Sequence, residues 1–312
     1  MLTIQNTEHF RIESPTIVTI GTFDGVHFGH QKILTRLKEL KEKTGLKTVV
    51  LTFEPHPRKV LFPEQKDLKL ITLIDEKLEL LDKYGVDVTV VYPFTKKFSE
   101  TDSPFYIEEV LLRSLNVKYL VIGYDHKFGK NRSGDISTLK EIAHDGSFTV
   151  EEISAIDIDH IAISSTKIRK CLEEGHIEQA NEFLGHPFSL SGVVVKGKQL
   201  GRTLGYPTAN IKPEGEEKII PKIGVYFVEV ILAGEKYFGM MSIGLNPTTD
   251  SDSQVKLEVN IFDFDAEIYG KTIKLNFLKR LRDEKKFANL TQLIEAIDLD
   301  KETSLKLIPA YS

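Results

Sequence analysis

The spacing of apolar residues changes once along this chain of 312 residues, close to Gly185, and one layered architecture does not serve both sides of that change. Residues 15–21 (PTIVTIG) are rich in β-branched side chains and stop at a glycine; Ile33, Leu34, Leu37 and Leu40 then recur at helical spacing. The alternation continues with strand-like stretches at 46–53, 86–92, 117–124 and 147–153. Helical patterns at 74–84, 106–115 and 136–143 separate them. Short apolar strands joined by amphipathic helices predict a doubly wound parallel sheet. Two short helical segments, 165–173 and 177–184, end at the stop signals Gly185 and Pro187. Strand-like stretches then follow at 191–195, 224–232, 235–243, 255–262 and 272–277, with turns at Ala233-Gly234 and Tyr269-Gly270. That pattern predicts an antiparallel β-barrel, closed off by a helix over 290–306. The chain is therefore expected to hold an α/β domain over residues 1–185 and a barrel domain over residues 186–312.

Composition excludes several classes. Lys and Arg number 41 against 46 Asp and Glu, a net charge of −5, which argues against broad nucleic-acid binding. No apolar run approaches the roughly 18 residues of a membrane helix. The single cysteine, Cys171, rules out an internal disulfide, and the first residues lack the basic-then-apolar pattern of a secretion signal. A cytoplasmic protein with small-molecule partners, and neither nucleic acid nor membrane among them, is the expectation. The sequence sets no oligomeric state.

The first candidate site is Gly21-Thr-Phe-Asp-Gly-Val-His-Phe-Gly-His30, where the first long strand hands over to a helix. In an open α/β sheet, ligands bind beyond the C-terminal strand ends. Gly21, Gly25 and Gly29 permit close backbone approach and positive φ, and His27 and His30 share a face if the helix has begun. A helix N-terminus favours an anion, so the stretch describes a phosphate site flanked by two imidazoles. Ordinary turn glycines with solvated histidines remain the alternative. A metal held by the histidines lacks a third ligand at suitable spacing, and the strict GxGxxG and GxxxxGK[ST] patterns are absent.

GTFDGVHFGH resembles the HxGH-type phosphate motif of the nucleotidylyltransferases. Ile163-Ser-Ser-Thr-Lys-Ile-Arg169 is similar to their second motif at a helix N-terminus. Thr52-Phe-Glu-Pro-His-Pro57 and Gly123-Tyr-Asp-His-Lys-Phe-Gly129, followed by Arg132-Ser-Gly-Asp135, resemble the bacterial FAD synthetase branch. In the second half, Gly197-Lys-Gln-Leu-Gly-Arg-Thr-Leu-Gly-Tyr-Pro-Thr-Ala-Asn-Ile211 resembles the PTAN motif of riboflavin kinases. Ile243-Gly-Leu-Asn-Pro-Thr248 and Arg282-Asp-Glu-Lys-Lys-Phe287 resemble two further stretches of the same family. Together, in order and over nearly the whole chain, these motifs resemble the bifunctional riboflavin kinase/FMN adenylyltransferase family, the prokaryotic FAD synthetase type. The chain departs from the family pattern at His126-Lys127, Lys167, Thr249 and Asn260.

The resemblance implies two reactions with different needs. In the first half, an FMN phosphate attacks the α-phosphorus of ATP and expels pyrophosphate. That nucleophile is already ionised near neutral pH, because a phosphate monoester's second pKa is about 6. Positioning and charge stabilisation then suffice, with no base. The implied residues are Gly21, Phe23, Asp24, Gly25, His27, His30, Asp125, Ser164, Thr166 and Arg169, with His27, His30 and Arg169 catalytic. In the second half a neutral ribityl hydroxyl attacks the γ-phosphorus and must lose a proton, which a carboxylate can take. The resemblance gives that role to Glu258, which on an alternating strand shares a face with Lys256 and Asn260. Gly197, Gly201, Arg202, Gly205, Thr208 and Asn210 are implied to hold ATP. Thr208 and Asn210 also offer hard oxygen ligands for Mg²⁺, and Arg282, Glu284 and Phe287 border the flavin. Riboflavin, FMN, FAD and ATP are the implied substrates and products. A monofunctional enzyme, a flavin-sensing regulator and an NAD-type oxidoreductase are the rival readings. The last wants a dinucleotide fingerprint that the chain lacks.

Overall fold

The computed structural model describes the chain except for residues 6, 66, 125, 144–145, 155–162, 198–200, 202–204, 246–254 and 312, and except for the Arg132 side chain. It forms two compact units, Met1–Ser165 and Thr166–Ser312.

The first unit is a six-stranded sheet in the order β1-β4-β3-β2-β5-β6, with every described pairing parallel. The strands are β1 (Leu2–Gln5), β2 (Thr16–Ile20), β3 (Lys47–Glu54), β4 (Val88–Pro93), β5 (Val117–Gly123) and β6 (Thr149–Ile153). β2 is buried along its whole length, as a central parallel strand covered on both faces must be. Its alternate side chains feed two cores. Val18 and Ile20 pack with Val49, Leu51 and Leu111 on one side of the sheet. Ile17 packs on the other with Leu34, Leu37 and Leu40 of helix α1 (Phe28–Thr44). Helix α2 (Pro57–Leu61) follows β3, α3 (Ile74–Lys83) precedes β4, and α4 (Ile136–Ile142) precedes β6.

Several features here differ from the sequence expectation, among them the short helix α2. The short edge strand β1 carries too few residues to show a period. The helix expected over 106–115 is wound as a π-helix, Tyr106–Ser114, closed by the amide of Leu115 on the carbonyl of Val110 at 3.0 Å.

The second unit is a closed antiparallel barrel in the order β10-β11-β8-β7-β12-β9. Its strands are β7 (Phe188–Val195), β8 (Ala209–Pro213), β9 (Gly224–Leu232), β10 (Glu235–Leu245), β11 (Val255–Ile261) and β12 (Thr272–Arg282). The expected turn joins β9 and β10 with both central residues in the left-handed region, Ala233 at φ 52° and Gly234 at φ 86°, as a type I′ hairpin requires. Closure pairs every strand and removes the exposed edges that an open sheet would present. β8 has no counterpart among the expected strands, since its five residues follow a glycine-rich turn and alternate poorly. β12 runs on to Arg282, so the first residue of the RDEKKF stretch ends a strand.

Helices α5 (Ser165–Glu174) and α6 (Ile177–Leu184) are fastened to this barrel. The amide of Lys222 reaches the carbonyl of Leu172 at 2.9 Å, and the Asn181 side chain bridges the carbonyl of Phe277 and the amide of Phe188 at 2.8 and 2.7 Å. The final helix, α7 (Leu290–Leu307), lays Ile297 and Leu307 over an outer apolar cluster of Phe227, Met240, Phe262 and Leu278.

Candidate functional sites

In the first unit the strand order reverses at β2, whose neighbours β3 and β5 lie on either side, and the turn 21–30 leaves its C-terminal end there. This is the crevice position where open α/β sheets take ligands. Gly25 adopts φ 84°, but Gly21 and Gly29 do not use positive φ; Phe23 (49°) and Val26 (40°) do. A side chain on Gly21 would instead press on the Phe23 ring, its Cβ 3.1 Å away. Left-handed backbone at bulky residues is strained and persists only where its surroundings hold it. The holding contacts come from the segment before α3. Asp24 is buried, and its Oδ1 accepts from the amides of Ile71 (2.9 Å) and Thr72 (3.0 Å). The Gly25 amide donates to Thr72 Oγ1 at 2.9 Å, and Ser165 Oγ donates to the carbonyl of Asp24 at 3.0 Å.

Helix α1 begins on His27 with no side-chain cap and no acidic residue in its first turn, so its leading amides suit an anion. His27 and His30 stack with ring centroids 3.7 Å apart, and Phe23 lies 4.8 Å from the His30 ring. Phe23 is fully buried, its ring packed with the core beneath helix α1. His30 Nδ1 is shut away from solvent with no hydrogen-bond partner. Burial, then the neighbouring His27 and Lys77, hold the His30 pKa well below 6.5. His30 is thus a neutral imidazole near pH 7, a hydrogen-bonding group rather than a cation.

The sign of the stability effect follows. Between pH 6.5 and the lower folded value, the unfolded chain binds more protons at this position than the folded one. The folded state therefore loses stability as pH falls through that window. Thermal unfolding of wild type between pH 7.5 and 5.5 is expected to fall more steeply than that of His30→Gln; equal slopes would contradict a buried neutral His30.

Ser164 and Thr166 are exposed at the start of α5, and Arg169 is buried on that helix. Asp125 lies outside the described residues. Asp135, in the adjoining RSGD stretch, caps α4 by accepting from the amides of Ser137 and Thr138 at 3.0 and 3.2 Å.

In the second unit the register places Asn210 of β8 directly opposite Glu258 of β11, a spacing at which side chains interact. Thr208 Oγ1 lies 3.5 Å from Glu258 Oε1. Lys256, on the same face of the strand as expected, pairs with Glu258 Oε2 at 2.8 Å. Asn260, where the family pattern has His, donates from Nδ2 to the carbonyl of Pro207 at 2.7 Å and so pins the start of the PTAN stretch. The glycine turn closes tightly over these groups. A Cβ on Gly197 would sit 2.1 Å from Asn210 Nδ2, and one on Gly201 2.3 Å from the carbonyl of Tyr206. Gly201→Ala, which meets backbone, is expected to depress ATP-dependent turnover at this site more than Gly197→Ala, which meets a movable amide. Comparing ATP KM values for the two variants checks the order. Gly205 takes φ 81°; Arg202 and the 246–249 stretch lie outside the described residues.

Beside Thr208 a cleft of about 430 Å³ runs between Pro207, Ala209, Val259 and Ile261 and the 264–269 loop. That volume lies within the range of small-molecule sites. Glu284 packs over Gly244, where a Cβ would come within 2.6 Å of its Oε1, and Gly244 pairs in register with Lys256. Glu284 therefore reaches the sheet two residues from Glu258. Arg282 is taken up by a bidentate pair with the buried Asp300 of α7, at 2.8 to 3.0 Å, and its guanidinium stands 5.7 Å from the Phe287 ring. Tyr206 donates its hydroxyl to Asp298 of the same helix, and that bond pushes the Tyr206 pKa up to about 12. Ser165 lies inside the second motif, though no role was expected of it, and sequence reasoning passed over Asp298, Asp300, Ile71 and Thr72 altogether. These four sit outside the motifs, and only folding brings them to the site.

Among the described residues, no helix is long and apolar enough to cross a membrane. The family model described as FAD synthetase matches residues 9–167, and that described as riboflavin kinase matches residues 184–308. A bifunctional riboflavin kinase/FMN adenylyltransferase of Listeria monocytogenes is 39% identical over 92% of this chain and 90% of its own length. One of Escherichia coli K12 is 37% identical over 92% and 91%. A crystal structure from Streptococcus pneumoniae, described as a macrolide-efflux protein, superposes with a TM-score of 0.90 at 32% identity, over 97% of this chain and 99% of that one. With both family models matched in order and relatives aligned nearly end to end, the chain belongs to the bifunctional riboflavin kinase/FMN adenylyltransferase family.

Proposed function

We infer that the second unit phosphorylates riboflavin with ATP to give FMN, and that the first transfers AMP from ATP to FMN, giving FAD and pyrophosphate. The observation that carries this reading is the pairing of Glu258 with Asn210 in register, with Thr208 3.5 Å away. A carboxylate held by Lys256 is thereby set beside a hydroxyl and an amide, where it can take the proton of an alcohol attacking a polyphosphate.

In the kinase reaction Glu258 takes the proton of the ribityl hydroxyl as it attacks the γ-phosphorus. Lys256 orients the carboxylate. Gly197, Gly201, Arg202 and Gly205 shape the phosphate turn, and Arg282, Glu284 and Phe287 border the flavin. Thr208 and Asn210 fit Mg²⁺: a hydroxyl and an amide oxygen are hard ligands, and the missing Cβ at Gly197 leaves space where the Asn210 amide lies. No cluster of three His, Cys, Asp or Glu side chains suited to a metal occurs among the described residues. When bound, Mg²⁺ offsets phosphate charge.

In the adenylyl reaction the amides at the start of α1 and the imidazoles of His27 and His30 receive the ATP phosphates, with Gly21, Asp24 and Gly25 shaping the turn. Ser164, Thr166, Arg169 and Asp125 complete the charge-stabilising set. The functional border is proposed at residue 185, although α5 and α6 pack on the barrel. A cytoplasmic address is proposed from the lone cysteine.

Incubation with riboflavin, ATP and Mg²⁺, followed by chromatography of the flavins, tests the reading. FMN should appear first and FAD after it. Flavin binding without any product would favour a sensor and overturn the proposal.

A further inference from the structure

Helix α3 carries an unusual residue on its buried stripe. Lys77 stands one turn before Leu81, which is fully buried in the core. Lys77 is itself only 4% exposed. A leucine or methionine would continue that stripe without desolvating an ammonium, which is costly unless the charge gains partners. The partner is polar and lies at the end of β3: Lys77 Nζ donates to Thr52 Oγ1 at 3.3 Å. Thr52 Oγ1 in turn donates its only hydrogen to the carbonyl of Thr22 at 3.1 Å, inside the turn 21–30. The chain of bonds thus runs from a buried cation, through one hydroxyl, to the backbone residue preceding Phe23, whose φ is 49°.

Resting on the reading of this unit as an FMN adenylyltransferase, we propose that Lys77 is a positioning residue for adenylyl transfer, acting through Thr52 to fix the Thr22 carbonyl and so the anion-receiving turn. A donor that is charged strengthens the bond it makes and, by polarising the hydroxyl, the next bond in the chain. With its carbonyl oxygen engaged by Thr52, Thr22 presents less negative charge to an incoming phosphate. The same contact holds the strained Phe23 from below, while Ile71 and Thr72 hold Asp24 from the side. Burial draws the Lys77 pKa down, and the nearby carboxylates of Asp24 and Glu54 oppose that shift and favour the charged form. Lys77 does not touch substrate in this scheme; its effect passes through Thr52.

A double-mutant cycle separates this role from mere packing. FAD formation from FMN is measured with ATP varied for wild type, Lys77→Met, Thr52→Val and the double variant, with riboflavin phosphorylation by the same preparations as an internal control. Lys77→Met and Thr52→Val are each expected to lower kcat/KM for ATP in the FAD-forming step by about 10- to 100-fold, the scale of a charge-assisted hydrogen bond. Riboflavin phosphorylation should stay unchanged. The double variant should lose no more than the worse single one, because both act on one chain of contacts. Independent, multiplying losses would overturn the proposal, as would wild-type kinetics in Lys77→Met. If Lys77→Met does not fold, Thr52→Ser and Thr52→Val decide. The serine variant should keep the rate and the valine variant lose it, and equal rates would refute the relay. Absence of FAD formation by wild type would sink the adenylyltransferase reading itself; normal FAD formation by all variants would sink only the role of Lys77.

Discussion

Glu258→Gln is expected to lower FMN formation by about 10²- to 10⁴-fold, the range a positioned general base contributes. Conversion of added FMN to FAD should be little affected. Glutamine keeps the volume and can still accept from Thr208, so loss of turnover reports loss of the proton acceptor rather than collapse of the strand. The substitution leaves Lys256, now 2.8 Å from the carboxylate, without its anionic partner. At 28% side-chain exposure that lysine can turn to solvent, so the stability cost should stay small. Rates measured separately with riboflavin and with FMN as the starting flavin check the split. Full-speed phosphorylation by Glu258→Gln would remove the base from the scheme, and selective loss of FAD formation would invert the assignment of the two units.

His27→Asn and His30→Asn carry the second large effect, in the opposite direction. Each is expected to slow FMN adenylylation by about 10²- to 10³-fold, the cost of removing one preorganised donor at a site of developing charge. FMN formation from riboflavin should persist. The two residues should not behave independently. Their rings stack at 3.7 Å, and each is part of the other's environment, so the double variant should lose less than the product of the single losses. His30 is neutral near pH 7 because burial and two neighbouring groups disfavour its charged form. Its contribution should therefore not disappear as pH rises from 6.5 to 8, whereas a cationic histidine would be lost there. A pH profile of kcat/KM for ATP over that range distinguishes them.

The clearest of the strands and helices that the sequence announced were those with continuous or periodic burial. β2 is wholly enclosed, and α1 carries four leucines and isoleucines on one face; both are readable because a buried face demands apolar residues at a fixed period. The elements that escaped notice are short or lie at an edge. β1 pairs on one side only and spans four residues, and β8 spans five beside a glycine turn. Neither offers enough repeats for a period to emerge.

The same contrast holds at the sites. His27, His30, Thr208, Asn210 and Glu258 were legible because motifs name residue types at short spacings along one segment. The roles of the glycines were only partly legible. Gly21 and Gly25 both sit in the signature turn, yet only Gly25 needs positive φ, and Phe23 and Val26 bear the remaining strain. Sequence gives no sign of that, because what holds those residues comes from 71–72 and, we propose, from Lys77. Arg282 read as a residue bordering the flavin, but its bidentate partner Asp300, eighteen residues further on, left no mark in the motif.

Sequence by itself determined the two-part architecture, the order of the motifs and the chemical types available to each site, since periodicity and local turn chemistry are properties of neighbours along the chain. Tertiary structure alone decided which groups meet. It set Asn210 opposite Glu258 through the register of two strands 48 residues apart, stacked two histidines beneath a strained turn, and buried a lysine behind them. Those outcomes depend on closure of a barrel and on packing of a helix against a sheet, where free energy is shared among residues distant in sequence and no local pattern records it.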